Sequence, residues 1–142
     1  MTTLASTRRY DDVQVGDELP ALAIPLTVTK IISCAIASRD YQPVHHDQAG
    51  ARERGSKDII MNILTTNGLV GKFITDWAGP DAMVRKIAIR LGVSNHPGDT
   101  MTLTGTVTGK TDGSVDVKIR GANSLGDHVT GTVTVLLPQE DQ

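Results

Sequence analysis

Cysteine is almost missing from this 142-residue chain, where Cys34 is the one thiol. A lone cysteine excludes a disulfide framework and a cysteine-built metal cluster. Its setting in "IISCAIAS" is apolar, which suits a buried, inert thiol better than a nucleophile. An excess of one charge is missing too, since 14 Lys and Arg against 16 Asp and Glu leave a formal net charge of −2. That balance gives no electrostatic basis for binding nucleic acid or an anionic membrane surface. No apolar run approaches the length that spans a bilayer. The opening "MTTLASTRRYDD" has no apolar core after its charges, so it does not read as a secretory signal. A reducing, cytoplasmic setting is the expectation. Repeats, linkers and low-complexity tracts are absent as well.

A chain of this length fits one domain that buries a real core without disulfides or metal. Residues 1–9 are small, polar and aperiodic, and are expected to form a loose N-terminal tail. Residues 10–138 form the domain, and 139–142 a short C-terminal tail. An alternating run from Leu22 to Val28 reads as a strand. "KIISCAIAS", Lys30 to Ser38, reads as a short helix with Thr29 as N-cap. "DQAGARERGSKD" has room for one more helical turn before Gly55. "IIMNILTTNGLVGKFITDWAGP" places Ile60, Ile63, Leu64, Leu69, Val70, Phe73, Ile74 and Trp77 on more than one helical face, as in a helix buried against a sheet. Gly79-Pro80 stops it. Four strand patterns follow: "VRKIAIRL", "TMTLTGTVTG", "SVDVKIRG" and "HVTGTVTVLL". "PGD" and "TDG" supply turn chemistry between them. Half-buried strands imply an antiparallel sheet with one face on the helix. The class is α+β: one long helix on a bent antiparallel sheet of about five strands, either a hot dog or another α+β sandwich.

The chemistry gathers in "SRDYQPVHHDQAGA", Ser38 to Ala51, which holds Asp40, His45, His46 and Asp47 in a chain of only four histidines. Taken alone, a loop histidine is more often solvated than catalytic. A metal site needs three or four convergent ligands, typically at helical spacing or well separated in the chain. His45 and His46 are adjacent and project differently from any regular backbone, so no metal is expected. A serine-type nucleophile is disfavoured by the lack of a "GxSxG" elbow. On a continuous helix, five steps of about 100° put Asp40 and His45 on different faces. Pro43 interrupts such a helix and lets both side chains aim at one point. A carboxylate and an imidazole converging on one water can take its proton and deliver one to a substrate.

The same residues carry a resemblance. "RDYQPVHHDQAGA" resembles the "GDxNPLHxDxxxA" signature of MaoC-like, (R)-specific enoyl-CoA hydratases. Asp40, Pro43, His45, Asp47 and Ala51 match it, while Arg39 stands for the Gly, Gln42 for the Asn and Val44 for the Leu. "YDDVQVGDELP" and "PGDTMTLTGTVT" extend the likeness over most of the chain. The resemblance implies a single hot-dog domain that pairs with a second hot dog. "GSKDIIMNILTTNGLV", "TDWAGP", "IRLGV" and "NSLGDHVTGTV" further resemble the small MaoC-like subunit of actinobacterial steroid side-chain hydratases. That branch implies a larger MaoC-like partner with an additional acyl-CoA-binding domain, in a heterodimer or heterotetramer. It implies as substrate the enoyl-CoA of a sterol whose side chain is shortened to three carbons. The product is then a tertiary alcohol that a partner aldolase cleaves.

Adding water to a conjugated thioester builds negative charge on its oxygen, and aimed donors stabilise such charge by a few kcal/mol each. The family draws one from a backbone N–H in "HGMLT" at the start of its central helix, where the helix dipole helps. The aligned residues here are "MNILT", Met61 to Thr65, with Asn62 in the place of the glycine. The expected site is therefore Asp40 and His45 as catalytic residues, with the Asn62 backbone N–H on the thioester oxygen. No cofactor is expected, since CoA is part of the substrate. Lys86, Arg90 and Arg54 read as solvated charges, so CoA-binding residues are left unassigned. His46 is expected to be a bystander, His96 and His128 to have loop roles, and Trp77 to serve packing or an interface. Two other functions fit the pattern: a non-catalytic hot-dog scaffold and an acyl-CoA thioesterase.

Overall fold

The computed structural model describes residues 6–139. They form β1 (Glu18–Pro25), α1 (Val28–Ala37), α2 (Gln48–Glu53), α3 (Ile63–Ala78), β2 (Met83–Leu91), β3 (Thr100–Thr111), β4 (Ser114–Asn123) and β5 (Gly126–Leu136), with 3-10 turns at Tyr10–Asp12 and Pro43–His45. The strands make one antiparallel sheet in the order β1-β3-β4-β5-β2, so β1 and β2 are its edges. Every pairing contains a register irregularity, and bulges of this kind bend and twist a sheet. α3 lies in the bend and touches β1, β2 and β5. This is a hot-dog fold.

The central strands follow the period-two pattern. β3 buries Met101, Leu103 and Val107, β4 buries Val115, Val117 and Ile119, and β5 buries Val129, Val133 and Val135. Against them α3 lays Val70, Phe73, Ile74 and Ala78. Each large apolar side chain fully buried in this way contributes about 1.5–3 kcal/mol. That stripe holds the helix, because Thr65, Thr66, Asn67, Gly68 and Gly71 are weak helix formers. Gly79, at φ +95°, ends it. A side chain there is excluded twice, since a Cβ would also lie 2.4 Å from Thr7 Cα. Arg8 crosses the same helix end, its N–H donating to Ala78 O (2.8 Å) and its Nε to Trp77 O (2.9 Å). Residues 1–5 of the expected N-terminal tail and 140–142 of the C-terminal one lie outside the described residues. No described helix is long and apolar enough to cross a membrane.

Several local expectations are corrected. β1 runs Glu18–Pro25 rather than Leu22 to Val28. Among the described residues it is an edge strand paired only with β3, where Pro20 and Pro25 can direct their missing donors away from the ladder. Val28 belongs to α1, whose N-cap is Thr27, not Thr29, with the Thr27 hydroxyl accepting from Lys30 N–H at 3.0 Å. α3 is buried along one face only, for Ile63 and Leu64 in its first turn are exposed. Ile60 precedes the helix, ahead of its Asn62 cap. β2 buries no residue completely, as expected of a strand that pairs with β5 alone among the described residues.

Candidate active site

α1 ends in a Schellman arrangement. Arg39 N–H donates to Ile36 O at 3.0 Å, and Asp40 N–H donates to Ala35 O at 2.9 Å. Arg39, the residue that turns the chain, has φ +57°, the left-handed conformation this cap needs. Gln42 is extended, with ψ 131°, as a residue before proline should be. Pro43 then opens a single 3-10 turn, closed by His45 N–H on Gln42 O at 3.0 Å. These two reversals bring Asp40 Oδ2 to 3.2 Å from His45 Nε2. The bend expected at Pro43 therefore does what the five-residue spacing requires.

His45 is held from behind. Its Nδ1 lies 2.7 Å from Ile60 O. A carbonyl only accepts, so Nδ1 carries the hydrogen and Nε2 faces Asp40. The segment supplying that carbonyl is clamped on both sides. Ile60 N–H donates to Val44 O (3.0 Å), and Met61 N–H donates to Asn95 O (3.1 Å). His96 Nδ1 reaches Ile59 O at 3.0 Å. The backbone entering α3 is thus fixed relative to His45 before the helix begins.

Asn62 is the N-cap of α3, its Oδ1 accepting from Thr65 N–H at 3.0 Å. The backbone N–H groups of Asn62, Ile63 and Leu64 have no acceptor among the described residues, the usual state of a helix N-terminus. The helix start thus presents donors and positive dipole near the dyad. The Asn62 side chain does more than the sequence suggested. It is buried, and its Nδ2 donates to Asp40 Oδ2 at 3.1 Å and to Ser38 Oγ at 2.9 Å. That amide hydrogen bond holds the Asp40 carboxyl below its ordinary 3.8. Partial burial works the other way, while Gln42 N–H and His45 add to the lowering. Asp40 is a carboxylate at neutral pH.

Beside Ser38 an apolar groove of about 330 Å³ runs between α1 and α3, lined by Cys34, Ala37, Leu64, Gly68 and Leu69. Cys34 is therefore half-buried on a groove wall, not sealed in the core, because α1 is only partly covered. His46 is exposed, its Nε2 3.2 Å from Tyr41 O. His128 departs from the expected loop role. It is a buried residue of β5 whose Nδ1 meets Val93 O (2.6 Å) and whose Nε2 accepts from Thr66 Oγ1 (2.8 Å). Trp77 is half-buried under the Arg8 guanidinium, 5.3 Å from its ring centre. It lies at the far end of α3, about 22 Å from Asn62 at about 1.5 Å per residue. Lys86, Arg90 and Arg54 are exposed.

Residues 12–127 match the MaoC-like domain family. The chain belongs to the MaoC-like family. It is 52% identical over 119 residues to the 3-oxo-4,17-pregnadiene-20-carboxyl-CoA hydratase beta subunit of Mycobacterium tuberculosis, covering 84% of this chain and 92% of that one. The crystal structure of the ChsH1-ChsH2 complex from the same organism superposes with a TM-score of 0.86 at 50% identity, over 87% of this chain and 98% of that one. The R-hydratase PhaJ1 of Pseudomonas aeruginosa matches at a TM-score of 0.86 and 23% identity, over 93% and 86% of the two chains, a likeness of fold.

Within this MaoC-like chain the departures from the family signature acquire physical content. The signature glycine falls on Arg39, the one position in the stretch with positive φ. The glycine expected before the central helix is Asn62, which brings a side chain into contact with the dyad. Sequence reasoning assigned Asn62 for its backbone and overlooked its carboxamide, along with Ser38. The available signal was an Asn just ahead of a long apolar helix, which is an N-cap pattern.

Proposed function

We propose that this MaoC-like chain is the hydratase subunit that adds water across the α,β double bond of an acyl-CoA thioester. The acyl group is a steroid carrying a side chain shortened to three carbons. The reading is carried by the 3.2 Å approach of Asp40 Oδ2 and His45 Nε2 beside the uncapped donors of α3. Water held between those two atoms gives a proton to the dyad as its oxygen bonds to the β carbon. A proton returns from the dyad to the α carbon, so the pair ends in its starting protonation state. Charge developing on the thioester oxygen meets the Asn62 N–H at the helix N-terminus, where one such donor is worth about 2.7–4 kcal/mol. The groove between α1 and α3 offers apolar surface next to the dyad for the acyl group.

Two Mycobacterium tuberculosis likenesses, one to a protein named as a beta subunit and one to a chain of the two-component ChsH1-ChsH2 complex, support a second part to the proposal. This chain works with a larger MaoC-like subunit that carries an additional acyl-CoA-binding domain, as a heterodimer or heterotetramer. Exposed Ile36, Ile63 and Leu64, the last of them on the groove wall, suit a surface that another protein covers. The tertiary alcohol formed is then a substrate for an aldolase.

The test is reconstitution with the larger subunit, following the loss of enoyl-thioester absorbance. Asp40→Asn and His45→Gln should each lower kcat by roughly 10²–10⁴-fold while the complex still forms. Full activity in both variants removes the dyad from the mechanism. Silent variants with an obligatory complex indicate a scaffold, and release of free CoA thiol indicates a thioesterase.

A further inference from the structure

We propose that the Asn62 carboxamide is a positioning residue of the site, locking the Asp40 carboxylate to the start of α3 and aiming it at His45. The inference rests on the hydratase reading for its catalytic meaning and on geometry for its structural one. All four hydrogen-bonding positions of this carboxamide are used. Oδ1 accepts from the Thr65 N–H and the Thr65 hydroxyl. Nδ2 donates to Ser38 Oγ at 2.9 Å and to Asp40 Oδ2 at 3.1 Å.

The orientation of the amide is fixed by its neighbours. The Thr65 N–H can only donate, so the oxygen of Asn62 must face the helix and the NH₂ must face Asp40. Ser38 is committed in the same sense. Its hydroxyl lies 2.8 Å from Cys34 O and 3.0 Å from Ala35 O, so its hydrogen goes to those carbonyls and its lone pair turns to Asn62. One side chain therefore joins the end of α1, the start of α3 and the dyad. Among the described residues, the titratable group in contact with Asp40 is His45. Asn62 is the neutral donor on the other side of the same carboxylate oxygen. Removing that donor takes away the largest interaction favouring the ionised carboxylate, so Asp40 should bind a proton more readily. The acid limb of the rate profile then moves to higher pH.

Two variants separate this role from helix capping. Asn62→Ser and Asn62→Asp both supply good N-cap acceptors, but neither supplies a neutral NH₂ to Asp40, and Asn62→Asp sets a second carboxylate against it. Three measurements are made on the complex with the larger subunit: thermal unfolding, the ¹³C titration of the Asp40 carboxyl, and kcat and KM against pH. Both variants should fold but melt below the parent, because the bonds to Asp40 and Ser38 are lost. Asn62→Asp should melt lower still, because it buries a second carboxylate. The Asp40 titration and the acid limb of kcat/KM should both rise in pH, further for Asn62→Asp. The kcat should fall by roughly tenfold to a hundredfold, the order that small misplacement of catalytic groups costs, with KM little changed. A folded variant with the parent Asp40 titration and acid limb overturns the proposal. If Asn62→Asp unfolds, Asn62→Ser alone decides it. If the parent complex hydrates no enoyl-CoA, the hydratase reading falls, while the carboxyl titration still decides whether Asn62 governs Asp40.

Discussion

Arg39 occupies the backbone position at which the family signature has glycine, and it does so at φ +57°. A residue with a Cβ is strained there by about 1–2 kcal/mol, a penalty glycine escapes. Part of that gain is offset because glycine loses more freedom on folding. Arg39→Gly is therefore expected to stabilise the chain by about 1 kcal/mol in urea unfolding, with hydration kinetics unchanged because the Arg39 side chain is exposed. A loss of stability shows that the guanidinium makes an interaction outweighing the strain. At this scale the dyad was legible: Asp40, Pro43 and His45 are close in the chain, and proline's lack of a donor dictates the bend. The Asn62 amide was not legible, because its bond to Asp40 spans 22 positions. Only the packing of α1 against α3 brings the two together.

β2 and β5 approach so closely at Ile89 and Gly131 that a Cβ on Gly131 would lie 2.1 Å from Ala88 O. Backbone cannot yield there as a flexible side chain could. Gly131→Ala should cost about 1–3 kcal/mol, as overpacking of a close-fitted site does. Amide exchange should quicken along β2 while β3 and β4 keep their protection. Equal loss of protection across all strands would show that β2 is not a separable edge. The elements are legible in the sequence to different degrees, for physical reasons. β3, β4 and β5 have neighbours on both sides and one face on the core, so alternation marks them plainly. β1 and β2 are edges, where prolines and exposed side chains are tolerated and the alternation loses contrast. α1 starts two residues before the position its pattern suggests, because Thr27 and Thr29 are equally good caps and the Thr27 hydroxyl is the one that accepts from Lys30 N–H.

Over the whole molecule, His128 ties β5 to α3 and to the backbone at Val93. Burial lowers its pKa below the ordinary 6.5, although its bond to Val93 O works the other way. The unfolded chain therefore binds a proton at this position at higher pH than the folded chain does. Stability from this group is complete above 6.5 and is lost as pH falls from there through the folded value. Carboxylates add a second, more acidic loss. Asp40 is lowered by the Asn62 amide and Asp99 by the Ser124 hydroxyl and Thr100 N–H, so each favours folding above 3.8 and less as pH falls further. Urea unfolding of His128→Gln across this range should show a weaker decline just below pH 6.5 and an unchanged one below 3.8. An identical profile in both windows assigns the upper decline to another group.

The amino-acid sequence by itself determined the class of fold, the long central helix, the three inner strands and the Asp–His pair. Each is written in local periodicity, caps and turns, which act over a few residues. Tertiary structure alone decided that Asn62 grips Asp40, that His128 is a buried link rather than a loop residue, and that Cys34 lines a groove. These depend on which surfaces meet across the chain, and burial and hydrogen-bond partners are set by that meeting and not by the residues' own spacing.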